Sequence, residues 1–329
     1  MKTKQFITGI LSFLTIYCFT LAFTGCSSDD DGDGDGQTTV AYRVTEIIST
    51  ETSGSDVYED KELYNYIDER LIEVIDLDKE NGIWEEDRKT VYDYEGDWVY
   101  SRRYNKDGDN WVEQNLESSQ GIKIVNGKVV ETKYSNTFMN YVYKTIFTYN
   151  GDDLVRIESF RNDELDEKYV LTYNGGNLQD VIEYEYNDDI EEMYYKHAFS
   201  YSGGKLSEKL GLYFENGVWV NNDKDVYLYS GNKVIQIDDY DYDNDSWEFD
   251  DSEFFSYNSL GLLESISESG DGWTEEEIYT YEAGIGNYKL IQGDDGWYYY
   301  NNYPTAQREA APNTIPDARK FNINRFLMH

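Results

Sequence analysis

"KYVLTYNGGNL", residues 168–178, decides the fold, because close copies of it recur as "KTIFTYNGDDL" from Lys144, "KHAFSYSGGKL" from Lys196 and "KDVYLYSGNKV" from Lys224. Aligned on the residue before the turn, the series runs Tyr66, Tyr94, Val125, Tyr149, Tyr173, Tyr201, Tyr229, Tyr257 and Tyr281. The steps are 28, 31, 24, 24, 28, 28, 28 and 24. A fixed period in the twenties signals a repeat architecture. Steps that differ by four add two residues to each strand of a hairpin and leave every side chain on its own face.

The positions within the repeat say what each unit is. Two before the anchor stand Tyr64, Tyr92, Phe147, Leu171, Phe199, Tyr227, Phe255 and Tyr279, with Lys123 the exception. Three before it every residue is apolar: Leu63, Val91, Ile122, Ile146, Val170, Ala198, Val226, Phe254 and Ile278. In a strand these two rows face opposite ways. The all-apolar row is expected to be buried, so Val170→Asp should cost several kcal/mol, and Lys168→Gln little. Five after the anchor an aliphatic returns, from Leu71 and Val99 to Val234 and Leu262, once "NG", "GG" or "SG" has reversed the chain. Each unit is therefore a β-hairpin.

A second turn closes each unit on the opposite rim, in "NGIW" ending at Trp84, "NGVW" at Trp219, "NDSW" at Trp247 and "GDGW" at Trp273. No segment keeps a 3.6-residue apolar period. The fold class is all-β: an antiparallel meander of about 18 strands, too many for one flat sheet, and so rolled or closed into a large barrel. An open single-layer superhelical sheet is the alternative.

Composition bounds the partners. The chain has 66 acidic and 28 basic residues, a formal charge of -38, so nucleic acid and anionic lipid are poor partners and neither is expected, whereas cations, basic proteins and neutral glycans fit. The 33 tyrosines suit half-buried strands, and all three prolines fall after residue 303, leaving the body of the chain free of them.

The ends read differently. Lys2 and Lys4 precede an apolar run from Phe6 to Phe23, a signal peptide over 1–25. Cys18 goes with it, leaving Cys26 as the mature chain's single cysteine and no internal disulfide. Residues 26–38 form an acidic, glycine-rich tether. Within it Asp31, Asp33, Asp35 and Gly36 match the first half of an EF-hand loop, but Tyr42 stands where the bidentate Glu belongs. The repeat domain spans 39–303. Residues 304–329 break the pattern, with "FNINRFLMH" as a cap or tail.

"FTGCSS" resembles a bacterial lipobox, with Phe23 where the pattern has Leu, Val or Ile; the resemblance implies lipidation of Cys26. The acids behind Cys26 resemble the surface-export signal of Bacteroidetes lipoproteins. That likeness implies an outer-membrane protein anchored through its lipid and facing the cell exterior. "YNSLGLLESI", residues 257–266, resembles the core of YD or RHS repeats, with Asn or Ser where that family favours Asp. The whole is similar to a group of Bacteroidetes lipoproteins with tyrosine-rich hairpins and a porin-like barrel. That resemblance implies a fold and no activity.

Membrane insertion conflicts with the strand faces. From Trp219 to Tyr229 the chain puts Asn221, Asp223 and Asp225 on one face and Asn222 and Lys224 on the other, where a lipid-facing row must be apolar. The lysines five before the anchor, Lys61, Lys89, Lys144, Lys168, Lys196 and Lys224, read as a ladder among acids on neighbouring strands. Trp84, Trp111, Trp219, Trp247, Trp273 and Trp297 are candidates for stacking on sugar rings, or else cover the hairpins. Asp239, Asp241, Asp243 and Asp245 are candidate calcium ligands, or else turn formers; no other cofactor is implied. Neither His197 nor His329 has a readable nucleophile partner, and the protein is not expected to be an enzyme. The expected function is a surface binding or adhesion module for glycan or protein. A structural envelope subunit is the alternative and a glycosidase the third choice.

Overall fold

The computed structural model describes residues 42–283, except 115–117, 127, 137–140, 188–189 and 271–272, together with the pairs 13–14 and 291–292. The lipobox-like stretch with Cys26, the residues 26–38 expected to form a tether, Trp297 and residues 304–329 lie outside the described residues. Phe13–Leu14 and Ile291–Gln292 pair antiparallel with each other.

From Tyr42–Ser53 to Trp273–Ala283 the chain is an antiparallel meander in which each strand pairs with the next, save at one shared place. The first and last of these strands also pair, from Tyr42 opposite Ala283 to Ser53 opposite Trp273, so the ladder closes into an 18-strand barrel. Closure, and not the open superhelical sheet, is the outcome, because it satisfies both edge strands at once. One place in the ladder is shared. Asn110–Glu113 pairs with the far half of Trp98–Asp107, and Ser118–Val125 with its near half.

The turns obey the chemistry their sequence predicts. At the far rim, which carries the second turns, Asn81 and Gly82 both have positive φ (50° and 80°), the two-residue turn whose twist matches a hairpin. At the near rim, which carries the anchors, Ile124 and not Val125 is the true anchor of the third unit. Ile124 stands opposite Val129 as Tyr149 stands opposite Leu154, and the exception at Lys123 disappears.

Burial sorts the two rows, and it reverses the expectation. Tyr64, Tyr92, Phe147, Leu171, Phe199, Phe255 and Tyr279, two before the anchor, are buried with Leu71, Leu154, Leu178 and Leu206 of the aliphatic row. They form two apolar clusters that follow the wall. Among the described residues nothing covers the outside of the barrel, so this buried face is the inner one. The all-apolar row points outward: Val170 is half-buried, and Phe254 and Ile278 are exposed. Sequence alone left this phase open because both rows are apolar and only curvature crowds one of them. Val170→Asp is accordingly expected to cost about 1 kcal/mol, comparable to Lys168→Gln. A loss of several kcal/mol from Val170→Asp in thermal melts would return that row to the core.

The anchor tyrosines have a specific task. Their hydroxyls donate to a carbonyl in the preceding repeat: Tyr94 to Leu71 (2.6 Å), Tyr149 to Val129 (2.9 Å), Tyr173 to Leu154 (2.8 Å), Tyr201 to Leu178 (2.8 Å) and Tyr257 to Val234 (2.7 Å). A cation lies over several of these rings, as Arg70 does over Tyr94 and Lys233 over Tyr257, at 5.1 and 4.2 Å. Tyrosine thus recurs because one side chain both packs on the inner wall and ties adjacent hairpins.

Candidate functional site: the barrel lumen and the outer tryptophan face

The outer face carries the lysine ladder. Lys61 pairs with Glu46 (3.0 Å), Lys89 with Glu73 (3.1 Å), Lys144 with Asp163 (3.5 Å), Lys168 with Glu191 (2.6 Å) and Lys196 with Asp180 (2.7 Å). The same lysines lie over aromatic rings, which the sequence reading missed. Lys61 is 4.8 Å from Trp84, Lys89 4.9 Å from Trp111, and Lys224 4.6 Å from Trp247 and 4.8 Å from Tyr240. The legible signal was the spacing that puts a far-turn tryptophan beside the next lysine in the ladder.

The tryptophans do not form one stacking row. Trp84, Trp111, Trp219 and Trp247 face outward, half-buried, the first, second and fourth under lysine and Trp219 against Phe214 at 4.9 Å. Trp273, opposite Gly270 and Ser53, shares a face with buried Tyr279 and points into the lumen. The acids of the calcium candidate do not converge. Asp239 and Asp241 stand opposite Asp225 and Asp223, successive along one face, while Asn244 and Asp245 take the positive-φ positions of the turn. Among the described residues no three His, Cys, Asp or Glu side chains form a group that would hold a metal ion.

The inner wall is layered. Above the near-rim tyrosines comes the buried apolar belt, and above that a band of carboxylates. Several are held by the tyrosine two residues further along the same strand: Tyr64 donates to Glu62, Tyr279 to Glu277, and Tyr227 to Asp225 at 3.1 Å. Sequence reasoning overlooked this pattern of an acid two before a tyrosine, although it recurs with the repeat. Burial lifts several carboxyls of this band, Glu62 among them. Asp76 and Glu277 rise to about 7, and Glu183 to about 8 with the charge of Glu167 adding to the effect. Asp60 rises to about 6 through burial and the facing Asp78.

The densest polar cluster lies where Ile190–Ser202, Lys205–Glu215 and Val218–Ser230 adjoin. Lys209 and Asp225 form an ion pair at 2.8 Å with side chains 3% and 2% exposed. Beside them Tyr195 donates to Asp223 (2.8 Å), Asn222 donates to the Tyr195 hydroxyl (3.0 Å), and the ring of His197 packs edge-on against Tyr195 at 4.9 Å. Gly211, opposite both His197 and Asp223, makes room. A Cβ on Gly211 would overlap the Tyr195 hydroxyl and both Asp223 oxygens, so that something must shift. Gly211→Ala is therefore expected to cost about 1–3 kcal/mol by forcing this buried pair apart, read as a lower urea midpoint. Gly121→Ala, which meets only the Tyr100 and Trp98 rings on the outer face, should cost less.

No family model and no curated protein matches the chain. Among solved structures it is similar to a protein of unknown function from Bacteroides fragilis NCTC 9343, with 13% identity over 42% of this chain and 91% of that one and a TM-score of 0.22. It is also similar to a porin-like protein from Bacteroides vulgatus ATCC 8482, with 12% identity over 73% and 98% of the two chains and a TM-score of 0.34. A third likeness is to the TcdB2-TccC3 protein, at 12% identity and a TM-score of 0.25, where the match spans 81% of this chain and 20% of that one.

Proposed function

We propose that the protein is a surface binding module, anchored in the outer membrane through lipid on Cys26, facing the cell exterior, with its barrel standing in water and taking a glycan or protein ligand. The observation that carries this reading is the charged outer wall. Ion pairs such as Lys89–Glu73 and Lys168–Glu191 sit mid-barrel on the outward face, where a bilayer would demand an apolar band. The signal peptide, the cysteine behind it and the acidic tether supply the anchor and the spacer.

Cys26→Ala should move the protein from the membrane pellet to the soluble fraction, and protease added to intact cells should degrade the wild-type protein. Retention of the variant in the membrane would mean that the barrel itself inserts. The binding role is tested by a glycan array and a host-protein pull-down with the purified mature chain. Absence of any ligand at high micromolar concentration counts against a binding module.

A further inference from the structure

The inner wall becomes more exposed along each strand toward the far rim. In Val218–Ser230 the inward residues run from Asp225 (1% exposed) and Asp223 (6%) to Val220 (38%) and Val218 (59%). In Asp56–Ile67 they run from Tyr64 (3%) and Glu62 (6%) to Tyr58 (58%). The lumen is thus closed in its near half and open to water at the far mouth.

Part of that mouth is lined by exposed apolar side chains, where solvent would favour polar ones. Register places Tyr58, Ile83, Val112, Ile190 and Val218 on the inward face. Ile83, Val112, Ile190 and Val218 are 64%, 49%, 60% and 59% exposed. The five come from two groups of adjacent hairpins, three on one side of the barrel and two on the other, and each stands opposite a polar residue: Glu51, Glu80, Asn105, Asn187 and Glu215. In "NGIW", "NWV" and "NGVW" the tryptophan turns outward while its aliphatic neighbour turns in, so the ring repeats with the fold. One layer deeper, acids stand directly opposite acids: Glu51 across from Glu275, Asp60 from Asp78, and Asp223 from Asp241. Like charges so placed repel, and a cation laid between them relieves the repulsion. The inward cations Lys209, Arg88 and Arg161 already have carboxylate partners in Asp225, Asp87 and Asp166, and Arg103 acts on the charge of Asp76, so the mouth keeps an excess of negative charge.

We propose that the far mouth of the barrel binds a cationic amphipathic peptide segment, with its apolar side chains against the Ile83–Val112–Ile190–Val218 ring and its Lys or Arg side chains against the opposed acids beneath. This assignment rests on the reading of the barrel as a binding module and names its partner. Charge complementarity chooses the occupant. The acids are strung along the wall with neighbouring strands about 4.8 Å apart and do not converge on one point, which suits several separated cations better than a single metal ion. The apolar ring rejects a purely polar polycation.

The test is fluorescence anisotropy of a labelled synthetic Lys/Leu amphipathic 14-mer against the purified mature lipoprotein in detergent. Saturable binding that weakens with added salt is expected. Ile83→Ser with Val218→Ser should weaken it about tenfold or more. Asp60→Asn with Glu275→Gln should weaken it and flatten its salt dependence, whereas Glu113→Gln with Glu276→Gln on the outward face should leave it unchanged. Equal effects of inward and outward changes, or no saturable binding, would overturn the proposal. Binding that emerges only after Arg319, Lys320 and Arg325 are changed to Glu would overturn it in favour of the chain's own C-terminal segment as occupant. If the peptide fails while the glycan array or pull-down yields a ligand, this inference falls and the binding module stands. If all of them fail, both fall.

Discussion

Replacing Lys209 with Met is expected to destabilise the folded barrel by about 3–5 kcal/mol, seen as a lower urea midpoint with an unchanged slope. The ammonium group and its partner Asp225 are almost sealed from water, 2.8 Å apart, so removing one leaves the other buried without its counter-charge. The hydroxyl of Tyr227 still reaches Asp225 at 3.1 Å but supplies no positive charge. Asp239, directly opposite Asp225 on the neighbouring strand, and Asp223, two residues away on its own strand and on the same face, deepen the loss because both add negative charge. A double replacement, Lys209→Met with Asp225→Leu, should recover more than half of the stability, since an apolar pair of similar size carries no desolvation penalty. Wild-type-like stability of Lys209→Met alone would show that the pair is reached by water.

The second large effect is a loss of stability as pH rises. Unfolded, the carboxyls of Asp60, Asp76, Glu183 and Glu277 titrate near 4; folded, they titrate at about 6, 7, 8 and 7. Glu62 is lifted well above the usual carboxylate range by burial and by Asp76. A group whose folded pKa is raised favours the protonated folded state, so its stabilising contribution is whole below pH 4 and vanishes as pH passes through the folded value. The unfolding free energy should therefore be larger at pH 5 than at pH 8, by several kcal/mol in sum at roughly 1 kcal/mol per group after discounting the half-exposed Asp60 for solvent screening, read as a higher thermal midpoint at pH 5. The outer ion pairs act in the opposite sense, as Glu191, whose carboxyl is lowered by its hydrogen bond to Lys168, illustrates, but they stand on the water-facing wall, where solvent screening leaves each worth well under about 1 kcal/mol. Glu183→Gln should raise stability at pH 8 and leave it nearly unchanged at pH 5. Melts that are flat from pH 5 to pH 8, or that rise with pH, would mean that the inner carboxyls are hydrated and that the lumen is wetter than its burial implies.

Much of the architecture was legible in the chain itself. Nine anchors at near-even spacing, turn residues such as Asn81–Gly82 and the Trp that follows several of the far turns, as at Trp84, Trp219 and Trp247, dictate hairpins and their number, because strand alternation and turn geometry are local. The lysine ladder was legible for the same reason, since neighbouring strands of a meander are neighbours in sequence. Tertiary structure alone decided which face is inside. Both apolar rows satisfy the pattern, and only closure of Tyr42–Ser53 onto Trp273–Ala283 curves the wall and crowds Leu171 rather than Val170. The same closure gathers Glu62, Asp76, Asp225 and Glu277 onto a concave, water-poor surface, where their carboxyls or ion pairs acquire properties that no spacing in the sequence foretells. Local spacing sets pairing and turns, whereas burial and charge depend on curvature, which belongs to the closed ring as a whole.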